Sequence, residues 1–142
     1  MEWKAVAGGF VVRFAKGDDI VAGLLDLART KRIESAWVNA LGAAEDVELG
    51  YYDLPNRTYV RQVFHGDWEI TALVGNLAWA GADPILHAHV TLGGKDFATR
   101  GGHLFAARAG ATCEVMVLDL GVPLVRARDE AIGLSLLSLK DS

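Results

Sequence analysis

The sequence predicts an α+β fold in which one amphipathic helix near the N-terminus packs on a mostly antiparallel sheet. Ile20, Leu24, Leu27 and Ala28 recur at i, i+4, i+7 and i+8, which is one face of a 3.6-residue period. After that segment the pattern changes to apolar runs of strand length separated by short turns. One early helix followed by strands with short connections is the α+β pattern.

Taken in order, "FVVRF" (10–14) reads as a short strand. The helix follows from about Asp18 to Lys31, with Asp18 and Asp19 at its start and Arg29, Lys31 and Arg32 at its end. That charge order complements the helix dipole. "SAWVNALGA" (35–43) is apolar enough to be a strand buried on both faces. "VELGYYD" (47–53) and "TYVRQVF" (58–64) flank Leu54-Pro55-Asn56-Arg57 and predict a hairpin. "DWEITALVGNLAW" (67–79) predicts a long strand with Gly75 as a candidate break. Ile85 to Leu92 is the next strand, closed by Gly93-Gly94-Lys95-Asp96, and "TCEVMVLDL" (112–120) is another, with Pro123 beyond it. The segment "EAIGLSLLSL" (130–139) is apolar for a tail and is expected to pack on the body or on a neighbour. A sheet with one helix leaves a face to be covered, and another subunit would cover it.

At 142 residues the sequence reads as one domain, residues 1–142, with length enough to bury a core. A hydrophobic share of 51% against 23% charged residues places it among globular proteins rather than disordered ones. No apolar run approaches the ~20 residues that span a bilayer. The start, Met1-Glu2-Trp3-Lys4, lacks secretory signal features, so a cytoplasmic location is expected. The single cysteine, Cys113, fits a reducing compartment, excludes C-x-x-C zinc motifs, and lies in an apolar strand as a core residue. Net charge is −4 and no basic run exists, which argues against direct DNA binding driven by counterion release. The sequence has no G-x-S-x-G, Walker or G-x-G-x-x-G motif, and Gly93-Gly94 and Gly101-Gly102 read as turns.

The chemistry is concentrated in "ILHAHVTLGGKDFATRGGHL" (85–104), which holds three of the four histidines. On a strand, residues i and i+2 share a face, so Ile85, His87, His89 and Thr91 lie on one side. Leu86, Ala88, Val90 and Leu92 lie on the other and form core. Two imidazoles from one strand face can meet on one ion, and His103, reached past two glycines that permit close backbone approach, would complete a three-histidine set with an open position. Ordinary polar residues on a strand are the other reading, and the residues alone leave both open. Glu69 and Glu114 are candidate fourth ligands, general bases or ring partners, or else exposed carboxylates. His65 in "FHGDW" reads as a surface residue.

The blocks "GDDIVAGLLDLARTKRIESAWVNALGAAEDVELGYYD", "GDWEITALVGNLA", "ILHAHVTL" and "GGHL" followed by "TCEVMVLDL" resemble, in order, those of the PPC (plants and prokaryotes conserved) domain, over roughly Phe10 to Leu120. The resemblance implies a stand-alone homotrimer with the helix packed on the sheet. It also implies a family labelled DNA-binding by analogy with plant members that carry an AT-hook arm, which this sequence lacks. The H-x-H and GGH pattern is similar to that of acetolactate decarboxylase, whose zinc is held in that way. By position, His87, His89 and His103 become ligands of a divalent transition metal, zinc first. The resemblance stops at the ligand pattern, so the implied function is either a binding or regulatory module or a metal-dependent enzyme, of lyase or hydrolase type, on a small polar metabolite.

Overall fold

The computed structural model describes residues 1–139. In chain order the elements are β1 (Glu2–Val6), β2 (Gly9–Ala15), α1 (Ile20–Lys31), β3 (Ala36–Asp53), β4 (Thr58–Ala80), β5 (Asp83–Gly93), β6 (Thr99–Asp119), β7 (Val125–Asp129) and β8 (Leu134–Ser138). The fold is α+β, and every ladder is antiparallel except a single parallel bridge, Trp79 to Val125, between β4 and β7.

The helix forms where the apolar period places it. Asp19 caps its start by accepting a hydrogen bond from the Ala22 N–H at 2.9 Å, a contact worth ~1 kcal/mol. Arg32 ends it in the left-handed conformation (φ 54°), and the next backbone N–H, of Ile33, returns to the Ala28 carbonyl. Ile20, Leu24, Leu27 and Ala28 are all buried, against β5 and β6. Each such Leu or Ile contributes roughly 1.5–3 kcal/mol relative to an exposed position.

The central strands are longer than the turn signals implied, because expected neighbours merge. Residues 36–43 and 47–53 belong to one strand, β3, and residues 58–64 and 67–79 to one strand, β4. Register shifts at Ala40/Gly42 and Glu45/Val47 bend this pair without ending it, and Asp46 takes a positive φ of 51° at the second. The hairpin about Leu54–Arg57 is present. Burial of residues 35–43 on both faces does not occur within the chain: alternate residues are buried, and Trp37 and Leu41 remain 44% and 60% exposed.

Gly75 does not break β4. A Cβ there would meet the His87 carbonyl oxygen at 2.6 Å and the Ala88 Cβ at 2.7 Å, so the residue permits close approach of β5. Nor are Gly101 and Gly102 a turn. Both lie inside β6, where a Cβ on Gly102 would sit 2.9 Å from the Gly50 carbonyl oxygen of β3.

β6 is the organising strand. It pairs with β5 over residues 99–103, with β3 from His103 onward, and with β2 from Thr112 to Leu118. Because β3 also pairs with β4 and β4 with β5, the ladder β3–β4–β5–β6 closes on itself. The core lies between this sheet and α1, and includes Cys113, whose thiol burial pushes up to about 12. The apolar tail packs on the body. β7 and β8 form a hairpin joined to β4 through the Trp79 N–H and the Leu124 carbonyl. No helix among the described residues is long and apolar enough to cross a membrane.

Gly75→Val should destabilise the protein by about 1–3 kcal/mol through overpacking. In thermal unfolding followed by circular dichroism the melting temperature should drop by several degrees. An unchanged melt would show that β4 and β5 do not approach as closely as described.

Candidate metal centre

Alternation along β5 buries Leu86, Ala88, Val90 and Leu92 and leaves His87 half-buried and His89 exposed on the opposite face, as the strand period requires. The third histidine arrives through β-pairing. His103 stands directly opposite His89 in the β5–β6 ladder and opposite Gly50 in the β3–β6 ladder. The three rings form a triangle, with centroids 5.3 Å apart for His87–His89, 5.3 Å for His87–His103 and 5.7 Å for His89–His103. One nitrogen from each lies within 4.8 Å of the other two. Nitrogens sharing an ion at ~2.0–2.1 Å can be at most about 4.2 Å apart, so small side-chain rotations bring the set into range.

The surroundings were not legible as a group in the sequence. Tyr59 of β4 and Phe105 of β6 flank the His103 ring, with centroids at 5.2 and 4.8 Å. Asn76 of β4 stands opposite His87, and its Oδ1 accepts a hydrogen bond of 2.7 Å from Nη2 of Arg126, which β7 carries. Nη1 of Arg126 donates to the Ser135 carbonyl on β8 at 3.0 Å. A cavity of about 130 Å³ opens between the sheet and the tail hairpin, lined by Tyr59, His87, His103, Arg126 and Ser135 among others. Arg126 lies far outside the histidine motif, and only the pairing of β7 with β4 brings it in.

Two polar atoms at this site are buried without a hydrogen-bond partner, Nδ1 of His103 and Nε of Arg126. Buried polar groups are normally satisfied, so this pair marks a place built for something further. Burial, then the neighbouring His87, His89, Arg126 and Arg61, hold the His103 imidazole down to about 4. His87 is lowered by burial, by Arg126 and by His89. Neutral rings are the form that ligates metal, and the three histidines fit a divalent transition ion.

Glu69 and Glu114 do not join them. Glu69 stands opposite Ala43 and Gly93, and Glu114 opposite Arg13 and Leu41, and the cluster able to hold a metal contains the three histidines alone. His65 is a surface residue, paired with Asp46 at 2.9 Å.

The depressed His103 value fixes the sign of a pH effect. Below about 6.5 the unfolded chain takes up a proton on this ring that the folded chain refuses until about 4. Stability of the metal-free protein is therefore full above pH 6.5 and falls as pH drops through that window. Thermal melts in chelator should show that loss, and His103→Gln should flatten it. Parallel pH profiles for the two proteins would contradict the assignment.

Solved proteins share this fold. No curated protein matches the sequence significantly. Among solved structures, a metal-containing protein from Archaeoglobus fulgidus is 38% identical, with 96% of each chain covered and a TM-score of 0.86. One from Ralstonia eutropha JMP134, named "Putative DNA-binding protein", is 27% identical, covers 97% of this chain and 96% of its own, and has a TM-score of 0.91. A plant- and prokaryote-conserved (PPC) protein from Pyrococcus horikoshii shares the fold at 22% identity, with 99% and 96% covered and a TM-score of 0.87. The model of the Plants and Prokaryotes Conserved (PCC) domain matches residues 4–121, and the chain belongs to that family.

Proposed function

We propose that this chain is a metal-binding PCC-domain protein in which His87, His89 and His103 hold one divalent transition ion, zinc first, and present it to a small polar ligand. The observation that carries the reading is the convergence of three ring nitrogens within 4.8 Å on two paired strands. The unpartnered His103 Nδ1 and the metal-containing relative at 38% identity support it. Imidazole ligands suit zinc, nickel, copper and iron, and three of them leave a coordination position open. A bound divalent ion would supply Lewis-acid polarisation there. The chain's own residues orient the ligand and limit water: Tyr59 and Phe105 wall the His103 side, and the β7–β8 hairpin covers the cavity.

The working unit we propose is a cytoplasmic homotrimer of one domain per chain. Its support is the sheet face turned away from the core, where Trp37, Leu41, Val74 and Met116 stay exposed. Contiguous exposed apolar surface marks an interaction site. The histidines share that face, since Val74 pairs with His89 and Asn76 with His87. A metal-dependent enzyme on a small metabolite is the second reading, favoured by a three-histidine set that borders a small cavity. DNA recognition has less support, because a net charge of −4 offers few phosphate contacts.

Two measurements test this. Protein purified without a histidine tag should contain about one equivalent of zinc or a related ion per chain by elemental analysis. His87→Ala should weaken binding at least tenfold, since loss of an outer partner alone costs 10–100-fold. A protein that takes up no divalent ion would end the metal reading. Light scattering coupled to size exclusion should give about three times the 15.2 kDa chain mass, and a clean monomer at micromolar concentration would remove the trimer.

A further inference from the structure

The geometry points to a small monocarboxylate as the ligand of this site, held by Arg126 beside the ion that the three histidines would bind. The inference rests on the metal reading for its second contact only.

Arg126 is oriented from two sides, by the Asn76 amide oxygen at 2.7 Å and the Ser135 carbonyl at 3.0 Å. Both acceptors are neutral. Three of its five N–H groups remain, and the Nε–H among them is buried without an acceptor. No carboxylate of the described residues lies within ion-pair distance of it, whereas Arg61, on the Phe105 side of His103, is already paired with Glu48 at 2.8 Å. A half-buried guanidinium fixed by neutral groups, with a donor left over, is a receptor for an anion.

The rest of the cavity adds to this demand. The metal-holding cluster contains no acidic residue, so an ion there would keep its full charge, next to that of Arg126. Arg126 and His87 line one cavity, so a single small anion can meet both the guanidinium and the ion. The volume of about 130 Å³ is well below the roughly 300–1,000 Å³ of pockets that take drug-sized molecules. Ile85, Leu134 and Leu136 line the same space and suit a short carbon chain. The match is a carboxylate with a few carbons attached.

The experiment is calorimetric titration of the whole chain with acetate, propionate and the neutral isostere acetamide, in zinc-loaded and metal-free forms. Zinc affinity is measured separately by competition with a chromophoric chelator. Acetate and propionate should bind the zinc-loaded protein at least tenfold more tightly than acetamide. Arg126→Gln should weaken the carboxylates at least tenfold while zinc affinity stays within about threefold, and Arg126→Lys should fall between. Carboxylate binding that Arg126→Gln leaves unchanged would overturn the proposal, as would zinc binding with no preference for acetate over acetamide in the wild-type protein. If the wild-type protein takes up no zinc, the metal reading fails by itself. The metal-free titration then decides: Arg126-dependent acetate binding sustains the carboxylate site, and its absence overturns it. Should Arg126→Gln not fold, the wild-type preference and the Arg126→Lys titration carry the test.

Discussion

The pairing of β5 with the first residues of β6 is the constraint on which the rest depends. It closes the β3–β4–β5–β6 ladder and sets His89 opposite His103. Without it, two histidines of β5 and one lying 14 positions later would have no reason to meet. At His103 the strand changes partners, bonding β5 on one side and β3 on the other, so the ring is carried by a backbone tied from both directions. Gly101 and Gly102 stand immediately before this point, and Gly102 allows the Gly50 carbonyl to come close. A side chain at that position would force β3 and β6 apart and move the third ring.

The same closure explains the electrostatics. His103, half-buried between Tyr59 and Phe105, and the half-buried His87 lose hydration, and burial accordingly leads the causes that lower both. Arg126 enters this space from the tail hairpin, and burial lowers it as well. The result is a small space that His87, His103 and Arg126 share, with two buried polar atoms unsatisfied and no acidic side chain in the histidine cluster. Buried polar groups left unsatisfied are costly, and the ion and anion proposed for this site would offset that cost.

The amphipathic helix was legible because its four buried residues all fall on one 3.6-residue face and its cap is the Asp19 that precedes them. The core face of β5 followed equally from period-two alternation. Strand ends did not follow. Asp46 adopts a left-handed conformation within a bulge, and no residue type announces that a chain will bend there and continue. Gly75 and the Gly101-Gly102 pair carry the same composition signal as turns, yet each serves close backbone approach in a strand. Trp37 and Leu41 read as buried on both faces because apolar character does not say whether the covering surface comes from the same chain.

Local periodicity and ordered motifs govern the features that could be read along the chain. These are the helix, the alternation that puts His87 and His89 on one face, the core placement of Cys113, and the family resemblance in its ordered blocks. The partners brought from a distance follow from the folded ladders instead. Asn76, Tyr59, Phe105, Arg126 and Ser135 surround the histidines, and Glu69 and Glu114 stand apart from them. The physical reason is that a strand fixes which side a residue faces over a few ångströms. Which residue faces it across a ladder depends on register and closure, and these are settled by pairing with strands tens of residues away.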